Sequence, residues 1–444
     1  MDKTPAADPN DRLRERSFVG FVITQFLGAF NDNLYKQLML LLAIPVAVAG
    51  AAAAEPEAAK GVDLQGIATV TFGIPFVIFG GFAGYLADRY SKRRIIVLCK
   101  VAEIVIMGMG VAAFYYAPVL GFAGLWLVLF LMGLQSTFFG PGKYGILPEM
   151  LPRSALPRAN GIVLMTTFIA IIIGTAVAGP LKDSVVDPDL PRLEAAASLW
   201  IASLVCVGIA ILGTFSSLLV RRVPVAEPEL QLRAEYLTVP RPMRELLRRD
   251  RPLVKALVAS CIFWLIAGLT LQSVNSLGKV QLLLSDTKTS LLVSLISVGI
   301  AGGAVLAGWM SRQSADNRVI QIGMWGTVLW CVLLAISIPG RGHLLGFGGS
   351  IPVLILLGAA AAFFAIPIQV FLQDRPPAEL KGRMIAVMNQ ANFLAIVMAG
   401  ILYQILDRVI AAADWPRSML FAVMALLFLP VAIFFRLDSD EPAP

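Results

Sequence analysis

Two ionisable residues, Asp32 and Lys36, sit inside a long apolar run near the start of the chain, within QFLGAFNDNLYKQ. Four residues apart, they share one face of a helix, and Gln25, Asn33 and Gln37 add amide groups nearby. A charge at the centre of an apolar span costs about 2.5–3.5 kcal/mol on insertion scales, so it is retained where it has work to do. The chemistry open to Asp32 is to bind a cationic or hydrogen-bonding group, to carry a coupling cation, or to gate. A mutually neutralised structural pair with Lys36 is the plainer reading. Lys100 and Glu103 pose a similar question; Lys100 is expected to snorkel to the surface while pairing locally with Glu103.

A second set lies in QSTFFGPGKYGILPEMLP, Gln135 to Pro152. Gly140, Pro141 and Gly142 are expected to break the helix there, leaving Lys143 to hold a mobile point charge suited to a phosphate or carboxylate. Its plainer reading is an interfacial Lys-Tyr pair. Later polar groups, Gln272, Asn275 and Lys279 in or after the seventh span, Gln369 and Gln373 around an expected break at Pro367, and Asn389, Gln390 and Asn392 in the eleventh span, are candidates for ligand contact. Amides in apolar helices also serve as interhelical hydrogen bonds worth about a kcal/mol. The stretch GYLADRYSKRR adds Gly84 for close helix approach, with Asp88, Arg89 and Arg93 as gating candidates. A carboxylate there can pair with a helix N-terminus or an arginine in one conformation and release it in another.

These side chains need elements to position them, and composition says which. Of 444 residues, 58% are apolar and 15% charged, against roughly 45–50% and 25% in soluble chains. The apolar residues cluster into windows of the length needed to cross a bilayer, about 20 residues each. The chain is therefore read as an all-α, multi-pass membrane protein, and a soluble enzyme is excluded. Twelve spans are expected, near 18 to 46, 63 to 86, 95 to 117, 122 to 142, 159 to 180, 196 to 220, 253 to 278, 289 to 311, 319 to 338, 351 to 373, 384 to 411 and 416 to 436. With both termini cytoplasmic, most of the 36 Lys and Arg fall on the cytoplasmic side, as the positive-inside rule requires. The net charge of +7 then needs no nucleic-acid partner, since the adjoining leaflet is anionic.

A polar, Pro- and Arg-rich stretch marks the midpoint. Residues 1–220 are expected to form an N-terminal six-helix bundle, 221–252 a cytoplasmic linker, and 253–444 a C-terminal six-helix bundle. Two packed repeats with a site between them is a known transporter plan. A faint repeat agrees: Ala83-Gly84 at the end of the second span aligns with Ala307-Gly308 at the end of the eighth, each followed by an aromatic.

Other chemistries have little support. Cys99, Cys206, Cys261 and Cys331 lie in separate apolar runs and read as packing residues. His343 sits in a Gly-rich loop without ligand partners, so no metal is expected. No cofactor is implied, and no GxxxxGK[ST] phosphate loop is found. The first span is expected to remain in the mature protein rather than act as a cleaved signal.

The motif Gly-x-x-x-Asp-Arg-x-x-x-Arg-Arg, in its place between the second and third spans, resembles the signature of the major facilitator superfamily. SFVGFVITQFLGAFNDNLYKQ, FFGPGKYGILPEMLP followed by Ala159-Asn160-Gly161, and PIQVFLQDRPPAELKGRMIAVMNQANF are similar to its lysophospholipid transporter (LplT-type) branch, in particular the transporter portion of fused acyltransferase and acyl-carrier-protein synthetase proteins. The resemblance implies a major facilitator fold of two six-helix bundles and no enzymatic activity. It implies a flippase that moves lysophospholipid, chiefly lysophosphatidylethanolamine, across the bacterial inner membrane by alternating access. Asp32 and Asn33 would match the acidic-amide pair of the first span and Lys143 the lysine of the Lys-Tyr-Gly motif, in headgroup or gating roles. The expected substrate contacts are Asp32, Asn33, Lys36, Lys143, Gln272, Asn275 and Gln369. The expected partners are lysophospholipid, membrane lipids and a separate cytoplasmic acyltransferase, with the chain acting as a monomer. Gln272 and Met165 depart from the branch, standing where a basic and an acidic residue are expected, which broadens the headgroup expectation. A proton-coupled exporter of drugs or metabolites, and a transport-inactive platform for acyltransferases, are the alternative readings.

Overall fold

The computed structural model describes residues 11–45, 62–232, 239, 241–310, 317–338, 340, 342–377 and 379–437. Parts of the expected linker (233–238 and 240), the end of the second repeat motif (311–316) and the tail from 438 lie outside the described residues. Twelve helices organise the described chain. They are α1 (Arg16–Ala43), α2 (Gln65–Arg89), α3 (Lys92–Tyr115), α4 (Phe122–Gly145), α5 (Leu156–Val185), α6 (Trp200–Leu218), α7 (Arg251–Ser276), α8 (Asp286–Met310), α9 (Asn317–Ala335), α10 (Gly346–Asp374), α11 (Lys381–Ala412) and α12 (Met419–Phe434). Shorter helices, the longest of them Arg241–Arg249, and one two-stranded hairpin, Ser337–Ile338 with Gly342–His343, connect them.

Ten of these helices, α2 to α11, are long and apolar enough to cross a membrane. Helices α1 and α12, the two outer ones, fall short, the first in hydropathy and the second in length. Asp32, Lys36 and four amides lower the hydropathy of α1. Helix α12 has 16 apolar residues, about 24 Å at 1.5 Å per residue, short of a ~30 Å hydrocarbon core.

Two expected breaks do not occur. Helix α4 runs through Pro141 to Gly145, and α10 runs through Pro352 and Pro367 to Asp374. A proline forfeits one backbone hydrogen bond and crowds the preceding turn, yet both helices continue, at Pro141 between two glycines and at Pro367 between Ile366 and Ile368. Helix ends are set by side chains instead. Asp250 caps α7, its Oδ1 accepting from the Leu253 N–H at 3.0 Å, with Pro252 in the first turn. Arg93 donates to the carbonyls of Val220 at 2.5 Å and Leu218 at 3.2 Å, closing α6. Arg192 donates to Leu42 at 2.7 Å and to Ala43, closing α1.

The packing repeats with an offset of six helices. Helix α1 packs on α5 as α7 packs on α11; α2 on α4 as α8 on α10; α3 on α4 and α6 as α9 on α10 and α12. The first six helices gather around Tyr35, Leu38, Phe114 and Leu129, and the last six around Leu269, Leu354, Phe364 and Phe421. Between the two sets, α2 meets α11 and α5 meets α8. These contacts run along one end. A Cβ on Gly66 would stand 2.4 Å from the Gly400 carbonyl oxygen, and one on Gly179 2.1 Å from that of Asp286. Toward the other end of the same helices, a Cβ on Gly80, Gly84, Gly161, Gly302 or Gly308 would meet nothing within 4 Å. The halves are tied at the first end, and α2 still touches α11 at mid-length, where Gln390 donates to the Val77 carbonyl at 2.9 Å and Phe76 stacks on Phe393; at the other, parted end none of these five glycines meets the opposite half.

Candidate functional site

Asp32, Lys143 and their partners lie on the wall formed by α1, α4 and α5. The Asp32 carboxylate accepts from Ser136 Oγ at 2.5 Å, and Gln135 Oε1, 3.0 Å from the same hydroxyl, is the alternative acceptor for its single proton. Lys143, 8% exposed, donates to Thr167 Oγ1 at 2.9 Å. Thr167 donates to Gln25 Oε1 at 2.8 Å, and Gln25 Nε2 donates to Thr166 Oγ1 at 2.6 Å. The Asp32 charge is among those acting on the Lys143 ammonium. Lys36 stands over the Phe72 ring, 5.5 Å from its centroid, rather than closing an ion pair with Asp32. Asn33 turns back to its own helix, donating to the Ala29 carbonyl at 2.8 Å. One anion and two cations thus share a surface with hydroxyls and amides, a combination able to hold both ends of a zwitterion.

Behind this surface lies a buried set. Lys100 does not snorkel: it is 1% exposed and its Nζ lies 2.5 Å from Glu103 Oε2. Asn31 donates to the other Glu103 oxygen at 2.8 Å, and Lys100 stands over the Phe139 ring at 5.2 Å. The absence of a side chain at Gly28 makes the room, since a Cβ there would be 2.3 Å from Lys100 Nζ. A cation that already has a carboxylate, an aromatic face and a niche gains nothing by reaching for the interface. Lys100→Met should therefore destabilise the protein by about 3–5 kcal/mol through an uncompensated carboxylate, read as thermal unfolding in detergent. Adding Glu103→Gln should restore most of the loss. An unchanged midpoint for Lys100→Met alone would contradict the pair.

The tied end is held by two polar clusters that join the first six helices to the last six. In one, Gln37 Nε2 donates to Asn275 Oδ1 at 2.8 Å, and Asn275 Nδ2 donates to Gln65 Oε1 at 3.0 Å. Gln65 Nε2 donates to Tyr403 Oη at 3.0 Å and to Asp63 Oδ2 at 3.1 Å; Tyr403 itself donates to Asp63 Oδ2 at 2.8 Å. Burial pushes the Asp63 carboxyl above the ordinary carboxylate range, against the opposing pull of the Gln65 and Tyr403 donors and the Arg417 charge. In the other, Asp286 sits between Lys182 of α5 at 2.7 Å and Lys279 at 2.9 Å. Lys279 is carried by the π-helical turn Leu277–Gln281 that follows α7. Asp183 of α5 accepts from the backbone N–H groups of Asp286 at 3.1 Å and Thr287 at 2.8 Å, so the start of α8 is capped by the opposite half of the molecule.

Several expected site residues stand apart from the α1–α4–α5 surface. Gln272 and Asn275 are both fully buried: Asn275 belongs to the tied end, and Gln272 Nε2 donates to Gly268 O at 3.1 Å in its own helix. They are out of reach of a ligand on that surface because the tied end encloses them. Gln369 is exposed on α10. The expected gating residues do not bridge the halves, which are parted at that end. Nothing lies within 4 Å of a Cβ on Gly84, so it serves no close helix approach here. Asp88 is exposed, and its backbone carbonyl accepts from the Glu227 N–H at 2.9 Å. Arg89 donates to the Leu230 carbonyl, and Arg93 closes α6. His343 is structural, its Nε2 bonded to the Leu334 carbonyl at 2.8 Å.

Sequence reasoning missed Asn31, Ser136, Thr166 and Thr167, which carry no charge to draw attention. It also missed Asp63, Lys182, Asp183 and Asp286, which read as ordinary charges at span ends.

Apolar helices tied at one end, parted at the other, with charges buried between them, make the architecture of a multi-pass membrane transporter. The chain belongs to the Major Facilitator Superfamily, whose model matches residues 21–400. It is similar to the "Lysophospholipid transporter LplT" of Serratia proteamaculans, 26% identical over 417 residues, covering 91% of this chain and 92% of that protein. The protein of the same name from Pectobacterium carotovorum is 28% identical over 409 residues, covering 89% and 88%. Among solved structures, the fold is shared with the nucleoside transporter NupG (TM-score 0.64, 13% identity, 94% and 97% covered). It is also shared with the xylose transporter XylE from E. coli (TM-score 0.65, 14% identity, 96% and 97% covered).

Proposed function

We propose that this chain is a flippase that moves lysophospholipid, of the lysophosphatidylethanolamine kind, across the bacterial inner membrane by alternating access. In this reading all twelve helices span, forming bundles of residues 1–220 and 253–444 joined by the linker 221–252, with both termini cytoplasmic. The tied end is then periplasmic, and the structure faces the cytoplasm. The observation that carries the reading is the pairing of opposite charges on one wall: Asp32 beside Ser136, and Lys143 beside Thr167. An ethanolamine ammonium suits the first and a phosphate the second. Asn33 and Lys36 stand beside them on α1, and Gln369, exposed on α10 apart from this wall, meets the ligand from the C-terminal bundle. Gln272 and Asn275 reach a ligand only when the tied end opens. Gly84, Asp88, Arg89 and Arg93 gate by meeting the C-terminal bundle when the parted end closes. The chain acts as a monomer and hands its product to a separate acyltransferase. The names of the relatives support the lysophospholipid class.

The test is transport by the purified chain in proteoliposomes, using fluorescent lysophosphatidylethanolamine and chemical quenching of the outer leaflet. Protein-dependent movement is expected. Rates equal to those of empty liposomes would refute the reading. Movement that stops when an imposed pH gradient is collapsed would favour the proton-coupled alternative.

A further inference from the structure

Between the two sets of helices the chain passes through a nine-residue helix, Arg241–Arg249, that the transport reading leaves without a role. Its sequence RPMRELLRR separates two faces at helical spacing. Met243, Leu246 and Leu247 form the apolar one: Met243 is fully buried in the core of the last six helices, and the two leucines pack against it. On the other side Arg241, Arg244, Arg248 and Arg249 are all exposed. Glu245 is the single acid in the helix.

The position of this basic face relative to the bilayer follows from α7. Asp250 ends the short helix, caps α7 and accepts from Arg375 Nε at 2.7 Å, so the two helices are fixed to each other. Along α7, Arg251, Val254 and Lys255 are exposed, and then Val258 and Trp264. An outward face free of charge is the part of a spanning helix that faces lipid tails, and it begins at Val258, two turns beyond Arg251, with Lys255 the last cation before it. The arginines therefore lie at the depth of the headgroups, where guanidinium groups make forked hydrogen bonds to phosphate. Glu245 is exposed on this face as well, four residues from both Arg241 and Arg249, so four arginines and one acid leave it a net charge of +3, favourable beside an anionic leaflet.

We propose that the exposed face of this helix, Arg241, Arg244, Arg248 and Arg249, continued by Arg251, binds anionic phospholipid headgroups of the adjoining leaflet. The lipid fastens the C-terminal side of the linker to the membrane surface. This surface is separate from the Asp32–Lys143 wall and does not depend on what is transported.

The test titrates phosphatidylglycerol, with phosphatidylcholine as control, into the purified full chain in detergent. Bound lipid is counted by native mass spectrometry, and the unfolding midpoint is followed. Phosphatidylglycerol is expected to bind the wild type and raise the midpoint, phosphatidylcholine to do neither, and high salt to weaken the effect. R241Q/R244Q/R248Q/R249Q should lower the apparent affinity for phosphatidylglycerol about tenfold or more. If that variant folds poorly without lipid, R241Q/R244Q and R248Q/R249Q should each lose part of the response. Wild-type affinity in the substituted proteins, or equal binding of the two lipids, would overturn the proposal. So would a response abolished by Lys143→Ala and untouched by the arginine substitutions, because the lipid would then be binding at the polar wall.

Discussion

Asp286→Asn is expected to open the tied end. In the structure the carboxylate neutralises two lysines at once, Lys182 at 2.7 Å and Lys279 at 2.9 Å, and all three side chains are less than 10% exposed. The amide keeps the shape and removes the charge, leaving two ammonium groups enclosed with no counter-charge. Breaking a buried pair in this way costs about 3–5 kcal/mol, roughly a hundredfold to several-thousandfold in the balance between tied and opened ends. The cost falls on the tied state alone, because opening returns both lysines to water, so it acts as a population shift. Nitroxide labels at Ser184 and Leu283, both exposed beside the cluster, should report a longer, broader distance distribution. Adding Lys182→Met and Lys279→Met should bring the short distance back, since the penalty comes from the stranded cations. A distribution unchanged by Asp286→Asn would mean that the capping of α8 by Asp183 and the Gln37–Asn275–Gln65 chain hold this end without the ion cluster.

That cluster also shows what the sequence could and could not convey. Membrane class, the approximate place of each helix and the position of Asp32 and Lys143 as ionisable groups inside apolar helices were legible, because apolar length and the charge within it are one-dimensional properties of the chain. Helix α4 was misjudged at Pro141, where a lost hydrogen bond proved cheaper than a broken helix. Lys100 was misjudged because snorkelling is a rule for a lysine facing lipid, whereas Gly28 and Glu103 turn this one inward. Lys182, Asp183 and Asp286 sit at helix ends separated by more than a hundred residues. Their partnership depends on how the halves meet in one conformation, which no spacing along the chain records. Asn275 and Gln272 were expected to contact substrate, and the same conformational dependence places them in the tie, where Gln65 bonds the Asn275 side chain and the Gln272 carbonyl.

The two charges on the polar wall should fail in different ways. Lys143→Ala removes the cation expected to meet a phosphate, and every glycerophospholipid headgroup has one. Its loss should lower flux of lysophosphatidylethanolamine and lysophosphatidylglycerol alike. A hydrogen bond to a charged group is worth about 1.5–3 kcal/mol, so the reduction is about tenfold to a hundredfold for each. Asp32→Asn keeps the partnership with Ser136, whose Oγ lies 2.5 Å from the carboxylate, but deletes the anion expected to meet the ethanolamine ammonium. A glycerol headgroup has no ammonium to lose. Flux of lysophosphatidylethanolamine should therefore fall by a similar factor, while lysophosphatidylglycerol moves at close to the wild-type rate. Both variants need an unfolding midpoint near the wild type, which the side chains' place on a wall rather than in the Lys100–Glu103 core leads one to expect. Equal loss of both substrates in Asp32→Asn would make Asp32 a gate or a proton site instead of a headgroup contact. Undiminished flux in Lys143→Ala would place the phosphate elsewhere, with Lys36 above the Phe72 ring as the next cation to substitute.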